Sequence, residues 1–421
     1  MGAPRIHFFA VLIVFSCALP AFSLNFYQRS ATPGEAVETS SGIGRRLLQS
    51  AANTSQSPGP AVALNATANG FVYKASLVYP VFPALFVFGD SLVDTGNIVI
   101  LDPESSAKGY PNGVTPGGRL NVTGRPCNGP NTVDYLAEFL GLPFGDPILL
   151  PGGNFFYGAN FASAGSGALN STGNPKTAMP LFNQTQLFAK FVQDSATYWR
   201  TSAAAADVTP RFPHPDAFGS ALYVFATGGN DLRNFVQVLT NPAGLAQAVL
   251  ASIRSAVTDT YALGARNILI ANVPPAHCAP ALRNLSPTGT CFASIAPVVQ
   301  TLSAGFDPLV QQLGAALPNA TVLLGDLYNF TSDAIAYPAA FGLTVADRAC
   351  CGAGGPANVA TPCSAPGFSV CDDPDRSLFW DGLHGTTAFY RLVAREILAG
   401  STYVRPNNLL DEFVKTKLLK V

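Results

Sequence analysis

Residues 85–97 read "LFVFGDSLVDTGN". Five mostly apolar residues suit a buried strand, and they run directly into Gly89-Asp90-Ser91 and a polar stretch. Asp90 and Ser91 are both natural helix N-caps, so a plain strand-to-helix turn would account for them. A serine at the solvent end of a buried strand is also where an exposed nucleophile would sit. The rest of the chain decides between these readings. Further apolar runs at 222–231 ("LYVFATGGND"), 267–273 ("NILIANV") and 321–327 ("TVLLGDL") each end in small or polar residues, as the first does. They read as buried strands. Between them Leu245, Val249, Ile253, Val257 and Tyr261 recur at steps of four, one face of an amphipathic helix. "TVDYLAEFLGL" (132–142) and "TAFYRLVAREILAG" (387–400) also have helical character. Strands alternating with helices predict an α/β fold, a central mostly parallel sheet covered on both faces. Sites in such sheets form beyond the carboxyl ends of the strands. Ser91 follows one such end and Asn230 another.

Composition narrows the function. Only 12% of the 421 residues are charged and the net charge is −1, with no block of Lys or Arg able to track phosphates, which argues against a nucleic-acid partner. The N-terminus has a lightly basic start, an apolar run from Phe8 to about Ala18, and small residues at Ala21 and Ser23. This is the layout of a secretory signal peptide, residues 1–23, and neither this run nor any later one has the length of a comfortable membrane span. Residues 24–80, rich in Ser, Ala, Pro and Gly, read as a flexible leader, in which Arg45-Arg46 is either a processing site or an incidental basic pair. The remaining 84–412 is expected to form one domain. N-x-S/T sequons begin at Asn53, Asn65, Asn121, Asn170, Asn183, Asn284, Asn319 and Asn329, in keeping with secretion.

Outside the signal peptide, seven cysteines remain in an oxidising setting, an odd number. Cys278 and Cys291 flank a proline-rich loop. Vicinal Cys350 and Cys351 are expected to pair outward with Cys363 and Cys371 in one of two arrangements. Cys127 is left as the unpaired thiol, unless it bridges two chains.

The chain lacks the G-x-S-x-G elbow, H-E-x-x-H, C-x-x-C and the P-loop, and neither a metal nor a cofactor is expected. Acyl transfer would need a nucleophile, a base, a group orienting that base, and oxyanion donors. Of the four histidines, His7 lies in the signal peptide, His214 between prolines and His277 beside Cys278. Only His384, in "FWDGLHGTTAFY" (379–390), has a carboxylate three residues before it and a helical pattern after it. Asp381 would orient one ring nitrogen while the other faces a serine.

Four stretches, "FVFGDSLVDTGN" (86–97), "GANFASAGSGAL" (158–169), "ATGGNDL" (226–232) and "FWDGLHGTTAFY", occur in the order of the four sequence blocks of the plant-type GDSL esterase/lipases of the SGNH hydrolase superfamily, which the chain resembles over roughly 84–412. "GRPCNGPNTVDYLAEFLGLP" (124–143) and "PNNLL" (406–410) also resemble family segments. The resemblance implies a single-domain α/β/α sandwich. It also implies a nucleophile at Ser91, completed by Asp381 and His384, and an oxyanion hole from the Ser91 amide, Gly167 and Asn230. Gly385 stands where the family has proline, which is expected to loosen the turn, and Cys127 stands where it has serine. Asp90, Asp94 and Asn97 are assigned to shaping the first turn. The expected activity is secreted carboxylic ester hydrolysis; an acyltransferase would use the same residues, and an idle binding protein would merely keep the fold. The 29 phenylalanines would suit either an acyl pocket or a core.

Overall fold

The first strand, β1 (Leu85–Gly89), is buried along its whole length, as an all-apolar run in a doubly covered sheet must be. The computed structural model describes residues 81–113, 124–201, 210–233 and 240–415, with residue 238 and the strands Ala66–Ala68 and Phe71–Tyr73. The chain divides into two compact units, Phe82–Glu412 and a second of Met1–Val81 with Phe413–Val421. In the second unit the strands 66–68 and 71–73 pair antiparallel. The signal-peptide reading, the leader apart from those two strands, Arg45-Arg46, and the sequons at Asn53, Asn65 and Asn121 lie outside the described residues.

In the larger unit β1 pairs in parallel with β2 (Gly158–Asn160) on one side and β3 (Leu222–Ala226) on the other. Beyond β3 follow β4 (Asn267–Ala271) and β5 (Thr321–Gly325), both parallel, and then the short antiparallel β6 (Val404–Arg405). The strand order is β6-β5-β4-β3-β1-β2. The chain therefore reverses its direction of travel through the sheet at β1, with β2 and β3 on opposite flanks. Connections leave β1 and β3 toward opposite sides, which opens a crevice beyond their carboxyl ends. Ser91 and Asn230 are the residues at that crevice.

Helices cover both faces. On one, α1 (Thr132–Phe139) packs with the C-terminal helix 387–399; on the other lie α2 (Leu181–Arg200), α3 (Pro242–Ala262), α4 (Ala296–Ala304) and α5 (Phe306–Ala316). The predicted α3 stripe is borne out, with Leu245, Val249, Ile253 and Val257 buried against the sheet. The second face is aromatic. Phe88 stacks on Phe225 of the neighbouring strand at 4.8 Å and on Phe161 at 5.2 Å, and Phe86 meets Phe188, Phe218 and Tyr223 at 5.2–5.5 Å. Each such ring contributes roughly 1.5–3 kcal/mol by burial, and each favourable pair about 0.5–1.5 more. The phenylalanines β1 supplies are core.

The disulfides are Cys278–Cys291, Cys350–Cys371 and Cys351–Cys363, so the nested one of the two open arrangements is the one adopted. The glycine run 352–357 lies inside the smaller of the nested loops. Cys127 is free and fully buried, its thiol donating to the Gly129 carbonyl. Burial pushes that thiol up to about 12, and a buried, protonated sulfur is not placed to bridge two chains. Among the described cysteines, iodoacetamide should label none in the native protein and, after denaturation without reductant, Cys127 alone. Label on native Cys127 would contradict its burial.

Gly89 ends β1 at φ +155°, and a Cβ there would overlap the Ala226 carbonyl on β3. Gly89→Ala is expected to cost at least ~2 kcal/mol, from a disfavoured backbone and a clash that only strand separation relieves. A thermal melt unchanged from wild type would show that the two strand ends can part.

Candidate active site

Ser91 is positioned by a turn built on Asp90. The Asp90 amide donates to Ala226 O at 3.1 Å, its carbonyl accepts from Val93 N and Asp94 N, and its Oδ1 accepts from Leu92 N at 3.1 Å. Asp90 thus caps a single turn and not a helix, since the next helix, Asn97–Leu101, starts from Gly96, and Ser91 is left at the crest of the turn. Among the described residues the Ser91 amide donates to no other group. Burial pushes the Asp90 carboxyl up to about 7, with the Leu92 amide and the charge of His384 pulling against it.

Asn230 follows β3 in a one-turn 3-10 helix, Asn230–Arg233. Its Nδ2 donates to Ser166 O at 2.8 Å, which uses one of two hydrogens and ties the strand end to the 158–169 segment. Within that segment the two glycines differ. Gly165, at φ +81°, lines the cavity that holds Ser91, Asn230 and His384. Gly167 does not line it; a Cβ there would meet Asp231 Oδ1 at 2.5 Å and Thr172. The sequence analysis singled out Gly167 and not Gly165.

The D-x-x-H turn closes on itself. Asp381 Oδ1 accepts Leu383 N and His384 N, each at 2.8 Å, and the carboxylate reaches back to His384 Nδ1 at 2.8 Å through Oδ2 and 3.0 Å through Oδ1. An ionised carboxylate only accepts, so Nδ1 carries the proton and Nε2 is left with its lone pair. Burial opposes charge on both partners, but their mutual attraction and hydrogen bonds outweigh it. Asp381 is held below the usual carboxylate range, and His384, which also feels Asp90, above the usual imidazole value. The turn is fastened from outside by Trp380 N to His384 O at 2.8 Å and by Ala281 N to Gly382 O at 2.9 Å. Gly385, expected to loosen the turn, instead donates its amide to the Tyr390 hydroxyl at 3.1 Å. Proline has no such proton.

Ser91, Gly165, Asn230 and His384 open onto one cavity of about 570 Å³, within the size range of ligand sites. Among the described residues no group of three His, Cys, Asp or Glu is placed to hold a metal ion.

The GDSL-like lipase/acylhydrolase family model matches residues 85–397. The chain belongs to this family. It is 30% identical to GDSL esterase/lipase 6 of Arabidopsis thaliana, over 78% of this chain and 90% of the relative. It is 33% identical to GDSL esterase/lipase LTL1 of the same plant, over 77% and 89%, and 29% identical to GDSL esterase/lipase 7, over 76% and 89%. Membership supports a hydrolase of the GDSL type acting on esters.

Several side chains that hold this GDSL site together were not singled out from sequence. Gln184 of α2, fully buried, accepts Gly89 N through Oε1 and donates to Gly89 O and Met179 O through Nε2, all at 2.8 Å. Arg125, in the segment before α1, pairs with the buried Asp134 of α1, and Asn131 Nδ2 donates to Asp94 O at 3.0 Å. Asp231 clamps the Gly165 segment, accepting Ala168 N at 2.9 Å, Leu169 N at 3.1 Å and the Thr172 hydroxyl. In Asp231→Asn the new amide faces one of those donors and the segment shifts. Since a misplacement of an ångström costs on the order of 10²-fold, kcat on p-nitrophenyl acetate is expected to fall by about 10–100-fold with a smaller change in KM. Wild-type kcat would show the clamp to be dispensable.

Proposed function

We propose that this protein is a secreted serine esterase that hydrolyses carboxylic esters through an acyl-enzyme on Ser91. The observation that carries the reading is the His384 imidazole, held through Nδ1 by Asp381 and lining the same cavity as Ser91 and Asn230. Nε2, the nitrogen left free, takes the Ser91 proton as Oγ attacks the ester carbonyl, and Asp381 steadies the imidazolium that results. The oxyanion is met by the amides of Ser91 and Gly165 and by the second hydrogen of Asn230 Nδ2, all donors fixed before the reaction starts. His384 then returns the proton to the departing alcohol, and water attacks the acyl-enzyme with the same base. Gly165 takes the place that resemblance gave to Gly167, because it is Gly165 that lines the cavity.

In this reading residues 1–23 are a signal peptide, 24–80 a leader, and 84–412 the catalytic domain. Three disulfides fit an oxidising compartment, and Asn170, Asn183, Asn319 and Asn329 are exposed for glycosylation. No helix among the described residues is long and apolar enough to cross a membrane.

Ser91→Ala is expected to abolish turnover of p-nitrophenyl acetate without lowering the melting temperature, since the half-buried hydroxyl packs little. Residual turnover near wild type would exclude Ser91 as the nucleophile. The pH profile tests the base. A His384 raised above 6.5 is protonated and idle in acid, so kcat/KM rises with pH through an apparent pKa above 6.5. Asp381→Asn removes the counter-charge and leaves burial, which moves the acid limb to lower pH while kcat falls by about 10³–10⁴-fold. An acid limb that stays in place would assign it to another group.

A further inference from the structure

The stretch Leu169–Asn174 borders the catalytic cavity. Leu169, Ser171, Thr172, Gly173 and Asn174 all line it, and Ser171, Gly173 and Asn174 are exposed as well, which places them at its rim. Asn170 is exposed but does not line the cavity, so its side chain leaves the rim toward solvent. The reason is a tight turn, closed by Thr172 N donating to Leu169 O at 3.0 Å, with Asn170 and Ser171 at its two corners. One carboxylate holds both ends of this turn, since Asp231 Oδ1 accepts Leu169 N at 3.1 Å and the Thr172 hydroxyl. A group attached at Asn170 is therefore rooted in a fixed place. Asn170-Ser171-Thr172 is also a complete N-x-T sequon. The other sequons of the described residues begin at Asn183, Asn284, Asn319 and Asn329, and none of their residues lines the cavity.

We propose that Asn170 carries an N-linked glycan that stands on the rim of the catalytic cavity and holds off esters borne on bulky carriers while small free esters pass. The proposal rests on the secreted-esterase reading above and adds a modification that regulates access to its site. A glycan is bulky, polar and strongly hydrated. An ester displayed on a polymer or a surface must bring its carrier against the rim before the carbonyl reaches Ser91, and the glycan occupies that space. Pressing the carrier onto it strips water from the sugar hydroxyls. A small free ester brings no carrier and meets no such cost. The clamp also dictates the variant that tests this. Replacing Thr172 would remove a hydroxyl that Asp231 accepts, so the sequon has to be broken at Asn170 itself.

The test uses the full chain, expressed with its own N-terminus in cells that leave glycans high in mannose. Release with peptide N-glycosidase in heavy-oxygen water labels each asparagine that carried a glycan, and Asn170 is expected among them. Activity is then read on p-nitrophenyl acetate and on acetylated dextran, a small and a polymer-borne acetate. Asn170→Gln is expected to raise kcat/KM on the dextran at least about fivefold and to leave p-nitrophenyl acetate within about twofold of wild type. Trimming the native glycans to a single sugar with endoglycosidase H should reproduce that gain in wild type and add nothing to Asn170→Gln. This separates the Asn170 glycan from glycans elsewhere and from the side chain itself. Glycans at other sequons with none at Asn170, or no gain on the dextran, overturn the proposal and leave the esterase in place. No glycan at any sequon overturns the secretion reading along with it, and no turnover of p-nitrophenyl acetate by wild type overturns the esterase reading and the gate together.

Discussion

The buried Asp94 carboxylate accepts four backbone amides, Gly96 N and Asn97 N at 2.7 Å, Ala164 N at 2.8 Å and Ile98 N at 3.1 Å. Burial pushes this acid up to about 6, and the four donors hold it from going further, so it remains mostly ionised at neutral pH. The segments after β1 and β2 have no strand ladder to fix them to each other, and charge-assisted bonds to one side chain do that work. Asn97 extends the link, donating to Asn160 O and Ala162 O, while Asn160 donates back to Val93 O at 2.6 Å. Asp231 repeats the device on the far side of the same segment. With a carboxylate clamping it from β1 and another from β3, the Gly165 loop has few ways to move, which is the preorganisation the proposed oxyanion site requires.

Much of this was legible in the sequence because periodicity reports burial. Strands β1, β3, β4 and β5 are runs of apolar residues ended by small or polar ones, and α3 repeats its stripe every fourth residue. β2 escaped because Gly-Ala-Asn has no strand pattern; its three residues are placed by pairing with Leu85–Val87, and Gly158 is required where a Cβ would run into the Leu85 backbone. Helix α2 was passed over although its buried Phe188 and Phe191 complete the aromatic face. The site splits the same way. Ser91, Asn230 and the Asp381–His384 pair stand in short contiguous motifs, whereas Gln184 is 95 residues from the Gly89 backbone it holds. Contacts of that separation leave no trace in local pattern.

The departures from the family pattern have local physical accounts. Gly385 gains a backbone donor that proline lacks, and the Tyr390 hydroxyl that receives it comes from the helix that Thr386 caps through Phe389 N, so the turn is tied to the helix behind it. Cys127 keeps the small side chain and weak donor of a serine, pointed at the Gly129 carbonyl, in a place where water and oxidants do not reach. Neither residue itself lines the cavity.

The aromatic residues explain why, among the described residues, no Phe, Tyr or Trp lines the cavity of so apolar a chain. Phe86, Phe88 and Phe225 point to the face covered by α2 and α3, because successive residues of a strand alternate sides and these share one parity. They are filled against Phe188, Phe191 and Phe218 and stop short of the strand ends, where the sequence turns to Gly, Asp, Ser and Asn. Sheet packing thus consumes these aromatic rings within the layer, and the crevice at the switch between β1 and β3 is lined mostly by what the loops supply, with Leu245 of α3 among them. Those loops are rich in serine, threonine, glycine and asparagine because they must turn tightly and bond their own backbone. The chemistry that makes the turns also supplies the polar part of the cavity's lining.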